Sequence, residues 1–517
     1  MRKLIFFSIS IVIIISLVFQ SCSRNTTDNS VSTPFDSLLI APFFKSYPEL
    51  KKYEKELVIF YQNYDFNYIW FDQKGIVVYG NSLYNKVKNI EDEGISSSFP
   101  YQKGIDDIFE KDIKNAQTQP EAELLLTSLY LFYVDEVYKG IDHATTTDIG
   151  WLLPRKKLSY TVLLDSIISD QKLQSEDSLN LFSQYYQLRD VLKRYRAIEK
   201  NGGWIPIEPE PDHKAYKPTD TSRVIQQIRD RLYVTGELMR NNKSDIYDAE
   251  LLAAVRTFQA HNGYKSDSLI SAEHIAAMNI PIDEYIKIIV VNMERCRWIS
   301  PEVFKAEEFI FVNIPSYSLY LFHDGMIEFE SPVIVGEIMT KTVIFDGKMS
   351  YIVFSPYWNL PKTIIENEVI PGIEKDEDYL KNRNMEWNDG QVRQLPGRNN
   401  SLGLVKFMFP NSNEIYLHDS PAKSLFKREN RARSHGCIRV GKARELAITI
   451  LKEDEDWTVE KIDAAMNVGE ESIYSLKNKI PVYIGYFTAW VDEQGQINFY
   501  KDVYERDERL AKLLFYK

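Results

Sequence analysis

Apolar residues follow a helical spacing through the first part of the chain, from about residue 36 to residue 205. The stretch 122–134 is mostly apolar and holds no proline, which is typical of a buried helix. Between residues 174 and 200 the apolar positions recur every three to four residues, as in an amphipathic helix. They include Leu181, Tyr185, Leu188 and Leu192. The pattern predicts a helical scaffold domain over 36–205.

A second helical unit follows a segment that disfavours regular structure. Residues 201–220 contain two glycines and four prolines, a composition that marks a linker. Over 221–280, apolar residues fall on one face of each of two helices; Asp248 stands at the start of the second, and Gly263 just past its end. These apolar positions are Ile225, Ile228, Leu232, Leu252, Val255 and Phe258. A compact helical module is therefore predicted over 221–280.

The spacing of apolar residues becomes that of β-strands from about residue 306. A β-rich domain is predicted over 306–490, in which residues 323–325 (His-Asp-Gly) supply a hairpin turn. Its first predicted strands are 309–314, 318–322, 332–336 and 351–354. Residues 366–398 form a long, highly charged segment within this domain, and segments of that length are commonly functional or disordered.

The first 22 residues have the pattern of an export signal. Arg2 and Lys3 precede an apolar run over 4–19, whose core is short for a membrane span. The run leads to Cys22 through a sequence that resembles a lipoprotein processing site. We expect 1–22 to be a lipoprotein signal peptide with Cys22 lipidated, followed by a flexible polar tether. The alternative is an uncleaved N-terminal anchor, and either one puts the bulk of the protein outside the cytoplasm.

The tether is expected over 23–35. The composition of the chain also limits the number of domains and the class of protein. A chain of 517 residues is long enough for about three domains. The mixture of 44% hydrophobic and 26% charged residues is ordinary for globular proteins. A formal net charge of −12 argues against a nucleic-acid-binding protein. Three cysteines in an exported chain of this size do not make a disulfide scaffold.

The candidate chemistry centres on one cysteine. Cys437 follows Gly436, and His435 and His418 stand two and nineteen positions before Cys437 (437 − 435 and 437 − 418). A thiol attacks a carbonyl well only as a thiolate, and a histidine within reach can take the proton and later return it to the leaving group. The backbone N–H groups of Gly436 and Cys437 are the natural donors to the oxyanion. We expect Cys437 to be the nucleophile, His418 the general base and His435 a supporting group near the oxyanion.

Basic residues surround this cysteine in sequence. They would lower the pKa of a thiol and attract a substrate that carries a carboxylate, although a solvated basic loop explains them equally well. They are Lys427, Arg428, Arg431, Arg433 and Arg439. A zinc site built from His418, His435 and Cys437 is a weaker alternative, because no fourth ligand is evident. The other cysteine, Cys296, is expected to be a packing residue.

These residues resemble the signature of the L,D-transpeptidase (YkuD-type) catalytic domain. The match rests on His418 and on Ser-His-Gly-Cys over 434–437, supported by Trp-Asn-Leu-Pro over 358–361 and Tyr-Leu-His-Asp over 416–419. Ala-Val-Arg-Thr-Phe-Gln over 254–259 resembles a peptidoglycan-binding domain. The order of parts is similar to that of the family's large, multi-domain branch. One departure is Val440-Gly441, where many members have an asparagine.

The resemblance implies a multi-domain α+β fold: a helical scaffold, a small helical peptidoglycan-binding module, and a β-sandwich catalytic domain. It implies a cysteine thioester formed from a tetrapeptide stem with release of D-alanine, transfer to an amine to give a 3→3 cross-link, and susceptibility to carbapenems. No cofactor is implied. Segment 366–398 would be a lid, or otherwise only an insertion. The expected substrate-binding residues are Ser434, Arg439, Trp358 and Tyr416.

The resemblance also sets the expected partners and location. Peptidoglycan stem peptides and a membrane, reached through the lipid anchor, are the expected partners, and nucleic acid is not. The protein would face the periplasm from the outer membrane. Two other functions stay open: a hydrolase that uses water in place of the acceptor amine, and a non-catalytic wall-binding lipoprotein. A papain-like protease is disfavoured because its cysteine would precede its histidine in sequence.

Overall fold

The computed structural model describes residues 34–110, 119–155, 158–169, 181–211 and 214–515. The predicted signal peptide with Cys22, and the predicted tether up to residue 33, lie outside the described residues. Within the described ranges, no helix combines the length and the apolar character needed to cross a membrane.

Helices build the N-terminal region, as predicted. Its described residues contain a hairpin of β1 (Phe71–Asp72) and β2 (Gly75–Ile76), the helices α1 to α8, and one π-helix (Val134–Lys139). The eight helices are α1 (Ile40–Ser46), α2 (Glu54–Asn63), α3 (Val78–Lys88), α4 (Gln102–Glu110), α5 (Pro120–Tyr133), α6 (His143–Asp148), α7 (Tyr160–Ser169) and α8 (Ser183–Lys200).

The two helices predicted most clearly are α5 and α8. Helix α5 is apolar on nearly every face and is buried accordingly, with Pro120 in its first turn, where a missing N–H costs little. The four apolar positions predicted for 174–200 are all buried along or just before α8. Hydrophobic burial therefore sets this part of the fold as the spacing predicts.

The predicted module over 221–280 is a three-helix unit with its own hydrophobic core. It contains α9 (Arg223–Thr235), α10 (Ala249–His261) and α11 (Ala272–Met278), with the strand pair β3 (Ala215–Tyr216) and β4 (Ile270–Ser271). Asp248 caps α10 by accepting a hydrogen bond from the Leu251 N–H, as predicted. Gly263, just past the helix, has a positive φ of 71°.

Helix α12 (Ile282–Trp298) connects the module to the sheet region and is buried along most of its second half. It packs against α8, against the π-helix and against α18 (Asp507–Phe515) near the C-terminus. One continuous hydrophobic cluster runs from the N-terminal helices through α12 into the sheet. The helical region and the sheet are therefore packed as one body, and the predicted domain limits within it stay predictions.

A nine-stranded sheet dominates residues 308–485. Its order is β14-β7-β15-β13-β12-β8-β16-β5-β6, and β6 also pairs with β7, so the sheet closes on itself. Its strands are β5 (Glu308–Asn313), β6 (Ser318–His323), β7 (Met326–Gly336), β8 (Asp346–Phe354), β12 (Val405–Met408), β13 (Leu417–His418), β14 (Ala432–Ser434), β15 (Ile438–Val440) and β16 (Ser472–Gly485).

The predicted hairpin turn joins β6 to β7. Asp324 and Gly325 both have positive φ, at 48° and 77°, which is the conformation of the tight hairpin turns that match strand twist. The α+β class is confirmed, and the predicted sandwich takes the form of one closed sheet. Helices α16 (Ala443–Leu451) and α17 (Val459–Asn467) and the pair β17 (Ala489–Val491) and β18 (Ile497–Phe499) complete the region.

Segment 366–398 is folded and has its own small core. It contributes to a three-stranded sheet of order β10-β11-β9, made of β9 (Trp358–Asn359), β10 (Met385–Asn388) and β11 (Gln391–Gln394). Short helices precede the hairpin of β10 and β11: α13 (Lys362–Ile364), a π-helix (Ile365–Val369), α14 (Ile370–Lys375) and α15 (Tyr379–Asn382). Leu360, Ile364, Val369 and Val392 form its buried cluster. We call residues 358–398 the cap.

Candidate active site

A cavity of about 710 Å³ lies between the cap and the closed sheet. Strands β13 and β15 and the loop between β14 and β15 form its floor, and the cap forms the opposite wall. Seven of the eight catalytic and substrate-binding residues predicted from the sequence line it. They are Trp358, Tyr416, His418, Ser434, His435, Cys437 and Arg439. The eighth, Gly436, lies within the same loop.

Strand register sets the geometry of the floor. His418 on β13 is paired with Lys406 on antiparallel β12 and with Arg439 on parallel β15. Directly paired residues project from the same face of a sheet, so one imidazole stands between two cationic side chains. Cys437 directly precedes β15, so the chain places it beside this row of three side chains.

His418 is 4% exposed, and its ring is held by the backbone. Its Nδ1 lies 2.5 Å from the carbonyl oxygen of Asp419. A carbonyl only accepts hydrogen bonds, so Nδ1 carries the proton and Nε2 carries the lone pair. Burial, followed by the nearby Arg439 charge, lowers the pKa of His418 to about 3, so the imidazole is neutral near pH 7.

The carboxylate of Asp419 bonds to groups other than His418. Its Oδ1 lies 2.6 Å from Lys423 Nζ, and its Oδ2 accepts a hydrogen bond from the Leu404 N–H at 3.0 Å. It also fills the space above Gly403, where any side chain would clash with it. The contact of Asp419 with the His418 ring is therefore made by its backbone carbonyl.

Cys437 is half-buried, and burial raises the pKa of its thiol. The Tyr416 N–H and hydroxyl and the Lys406 charge act in the opposite direction and lower that pKa. The sulfur also lies 3.7 Å from the carbonyl oxygen of Glu414. The resting thiol is therefore protonated and surrounded by groups that favour its thiolate.

Hydrogen bonds hold the loop that contains Cys437 in shape. Gly436 has a φ of +119°, which a side chain would strain, and its carbonyl accepts a bond of 2.8 Å from Thr342 Oγ1. Ser434 Oγ donates to the Cys437 carbonyl at 2.6 Å and accepts the Gly436 N–H at 3.2 Å. Of the two predicted oxyanion donors, Gly436 is thus engaged within the loop. No described group engages the Cys437 N–H.

Ser434 and His435 make contacts that the sequence did not indicate. The Ser434 hydroxyl serves the loop itself, and its predicted contact with substrate stays a prediction. His435 is exposed, and its Nε2 lies 3.5 Å from Glu368 Oε1 on the cap. The ligand atoms of His418, His435 and Cys437 do not lie within 4.8 Å of one another, so these described residues do not form the zinc site considered above.

Three contributors to the site escaped the sequence reasoning. Lys406 enters through strand register, Thr342 through a bond between two loops, and Glu368 through the fold of the cap. None is close in sequence to Cys437. Cys22 lies outside the described residues, and Cys296 is completely buried in α12.

Comparison with known proteins assigns two parts of the chain. Residues 307–467 match the YkuD family model, described as the L,D-transpeptidase catalytic domain, and residues 55–192 match a model described as a scaffold domain. A Haemophilus influenzae protein, provisionally named as an L,D-transpeptidase, is 31% identical over 432 residues. That match covers 72% of this chain and 86% of the relative.

Solved structures of two similar proteins match at low identity. An L,D-transpeptidase from Stackebrandtia nassauensis is 14% identical, with 54% of this chain and 97% of that chain covered and a TM-score of 0.23. One from Mycobacterium smegmatis is 12% identical, with 35% and 59% covered and a TM-score of 0.20. Likenesses at these TM-scores carry no argument about the site.

Proposed function

The chain belongs to the L,D-transpeptidase family, and on that basis we propose that it is a peptidoglycan L,D-transpeptidase with Cys437 as its nucleophile. The observation that carries the proposal is the meeting of Cys437 and a tautomerically fixed His418 in one cavity of about 710 Å³. The donor is a tetrapeptide stem that ends in D-alanine. The products are free D-alanine and a 3→3 cross-link.

Acylation begins when Cys437 Sγ attacks the carbonyl carbon of the third stem residue. His418 Nε2 takes the thiol proton, and the new oxyanion accepts a hydrogen bond from the Cys437 N–H. The tetrahedral intermediate then collapses, breaking the bond to D-alanine, whose amine takes the proton back from His418. A thioester remains on Cys437, so atoms, charge and protons balance.

Transfer completes the cycle by the reverse chemistry. An amine from a second stem attacks the thioester carbonyl, and His418 accepts the proton of that amine. Cys437 leaves as a thiolate, which takes the proton from His418 and becomes the resting thiol again. Water in place of the amine would give a hydrolysed stem. Transfer and hydrolysis use the same acyl-enzyme, and the charged groups around Cys437 are equally compatible with either reaction.

The cationic floor of the cavity suits an anionic donor. Arg439 lines the cavity and makes no ion pair within the described residues, and its buried Nε has no hydrogen-bond partner there. A stem carboxylate next to Arg439 would supply that partner and would oppose the positive field that lowers the pKa of His418. Arg439 is thus our proposed contact for the substrate carboxylate.

The cap is proposed to be the lid that encloses the donor. Val369, Tyr379 and Arg383 from the cap line the cavity opposite Cys437. Replacing 372–390 by a short linker, which spares β9 and β11, should slow turnover of polymeric wall and leave thermal unfolding of the rest unchanged. Wild-type kinetics after that deletion would make the cap only an insertion.

The remaining parts are proposed to bring the enzyme to its substrate. Module 221–280 is proposed to bind peptidoglycan, and Cys22 to carry lipid that anchors the protein in the outer membrane, facing the periplasm. Cys22→Ala should move the protein out of the membrane fraction. Unchanged fractionation, or a mature mass without acyl chains, would contradict lipidation.

A donor assay tests the proposed activity. The full-length protein is incubated with a tetrapeptide stem, with and without an acceptor stem, and the products are identified by mass spectrometry. Loss of D-alanine with formation of a cross-linked dimer is expected. Tripeptide alone, even with acceptor present, would assign a hydrolase. Absence of D-alanine release under both conditions would contradict catalysis and favour a wall-binding role.

A further inference from the structure

Lys406 lies in an unusual position beside the nucleophile. It projects from β12 in register with His418, and its Nζ lies 4.0 Å from the centroid of the Tyr416 ring. Tyr416 lines the cavity, whereas Lys406 lies over the Tyr416 ring and contributes no surface to the cavity wall. The lysine can therefore affect the reaction only through Tyr416 or through its charge.

The charge of Lys406 has no local partner. Within the described part of the chain this half-buried lysine makes no ion pair. The acid that acts on it electrostatically is Glu471, whose Oε2 accepts the Tyr357 N–H at 2.8 Å. Burial lowers the pKa of Lys406, while Cys437 and Glu471 raise it. A half-buried ammonium without a carboxylate is costly, and an apolar residue would fill the same space more cheaply.

Charged and polar groups reach the Cys437 sulfur from several elements. The Tyr416 hydroxyl and N–H come from the segment before β13, and Glu414 comes from the same segment. The remaining titratable groups around it are His418 on β13, Arg439 on β15, Lys406 on β12 and His435 in the loop. The cap adds Glu368, Tyr379, Lys381 and Arg383 on the opposite wall of the cavity. Among all these groups, Tyr416 lies under the lysine and is also held next to Cys437, because its carbonyl accepts the Ile438 N–H at 3.1 Å; its hydroxyl lowers the pKa of the Cys437 thiol.

We propose that Lys406 is a positioning residue that acts through Tyr416 to stabilise the Cys437 thiolate. A cation on an aromatic ring is attracted to it, and it also draws electron density from the phenol, which makes the hydroxyl a stronger donor to sulfur. During attack the thiol proton goes to His418 Nε2, and Lys406 and Tyr416 keep theirs. The proposal rests on the proposed function only in taking Cys437 as the nucleophile.

The test measures the thiolate directly and needs no peptidoglycan. Full-length protein is alkylated with iodoacetamide over a pH series, and modification of the peptide that carries Cys437 is followed by mass spectrometry. Lys406→Met should move the midpoint of the profile to higher pH by about one unit, so that about tenfold less thiolate is present at a given lower pH. Lys406→Arg should restore the wild-type midpoint.

Matched controls separate this effect from a structural one. Lys348→Met removes an exposed lysine from the neighbouring strand β8 and should leave the profile unchanged. If Lys406→Met does not fold, as judged by thermal unfolding, Lys406→Gln provides the same neutral comparison. A folded neutral variant with the wild-type midpoint would overturn the proposal.

A double-mutant cycle tests the route through the tyrosine. Tyr416→Phe keeps the ring under Lys406 but removes the hydroxyl, and it should also raise the midpoint. With Tyr416→Phe already present, Lys406→Met should add clearly less than it does alone. Fully additive shifts would contradict the route through Tyr416. Because alkylation by iodoacetamide does not depend on a stem substrate, failure here is distinguishable from failure of the transpeptidase assay.

Discussion

Two cysteines in this chain stand beside arginines, and the structure gives them opposite surroundings. Cys296 lies between Arg295 and Arg297 in α12 and is completely buried. Both arginines are neutralised there, by Asp507 at 2.7 Å and by Glu294 at 2.8 Å. Burial raises the pKa of the Cys296 thiol well above its ordinary value, which makes the thiol inert.

The surroundings of Cys437 differ in access and in charge balance. The thiol is half-buried at a cavity, and neither Lys406 nor Arg439 makes an ion pair among the described residues. Basic neighbours in sequence are therefore a poor guide to a reactive thiol. Unneutralised charge and access to a cavity distinguish Cys437 from Cys296.

Replacing the cysteines should give the largest contrast. Cys437→Ala removes the attacking atom and should abolish D-alanine release from a tetrapeptide donor. Cys296→Ala should retain turnover near the wild-type rate, with only a small loss of stability from the lost sulfur. Release is followed by coupled detection of D-alanine. Equal losses in both variants would mean that the contrast between the two thiols is mistaken.

Replacing the two histidines should give the next largest difference. His418→Ala removes the proposed base and should slow acylation by about 10²–10⁴-fold with folding retained. His435→Ala should lose less, because His435 is exposed and faces Glu368 on the cap. Acylation rates are measured against pH for both variants. If His435→Ala is the more damaged and loses the pH dependence, the two roles must be exchanged.

Breaking the ion pair beside Cys296 should affect stability rather than chemistry. Glu294→Gln leaves the Arg297 guanidinium buried without its carboxylate, which should cost about 3–5 kcal/mol of unfolding free energy. Activity per folded molecule should be unchanged. Glu508→Gln, which breaks an exposed pair with Lys512, is the control and should not move the denaturation midpoint. A loss in Glu294→Gln as small as in the control would show that Arg297 is not dependent on this pair.

The buried neutral His418 should make the protein sensitive to acid. Its pKa of about 3 lies below the ordinary value of 6.5, so between these values the unfolded chain binds a proton that the folded one does not. Stability should therefore fall as pH drops below about 6.5, by about 2 kcal/mol at pH 5 from this group alone. His418→Gln should remove that part of the slope, measured by denaturation at several pH values.

An exposed histidine provides the comparison for this slope. His143→Gln, at the start of α6, should keep the wild-type pH dependence. An identical slope in wild type and His418→Gln would contradict the burial of a neutral His418.

The local sequence pattern was enough to predict the main helices and strands, and to predict that His418 and Cys437 belong to one site. The spacing of His418 and Cys437, with Gly436 between, predicted residues that the structure brings to one cavity. Spacing alone could not supply partners that arrive by strand register or through the cap, such as Lys406 and Glu368. Nor could it show that the carbonyl of Asp419 holds the His418 ring, because a sequence shows side chains and hides backbone acceptors.

The cap shows the same limit at a larger scale. Charge and length over 366–398 indicated either a lid or an insertion, and both are compatible with such a composition. Its three-stranded sheet and its buried cluster depend on contacts with Trp358 and Leu360, which precede the segment. Long-range pairing of this kind has no periodic signal within the segment itself.

Intact-mass spectrometry with a carbapenem tests the central claim most directly. The full-length protein and its Cys437→Ala and Cys296→Ala variants are incubated with the drug, and the adduct is then located by peptide mapping. One adduct is expected, on Cys437, in the wild type and in Cys296→Ala, and none in Cys437→Ala. An adduct on Cys296, or one that survives in Cys437→Ala, would contradict the central claim.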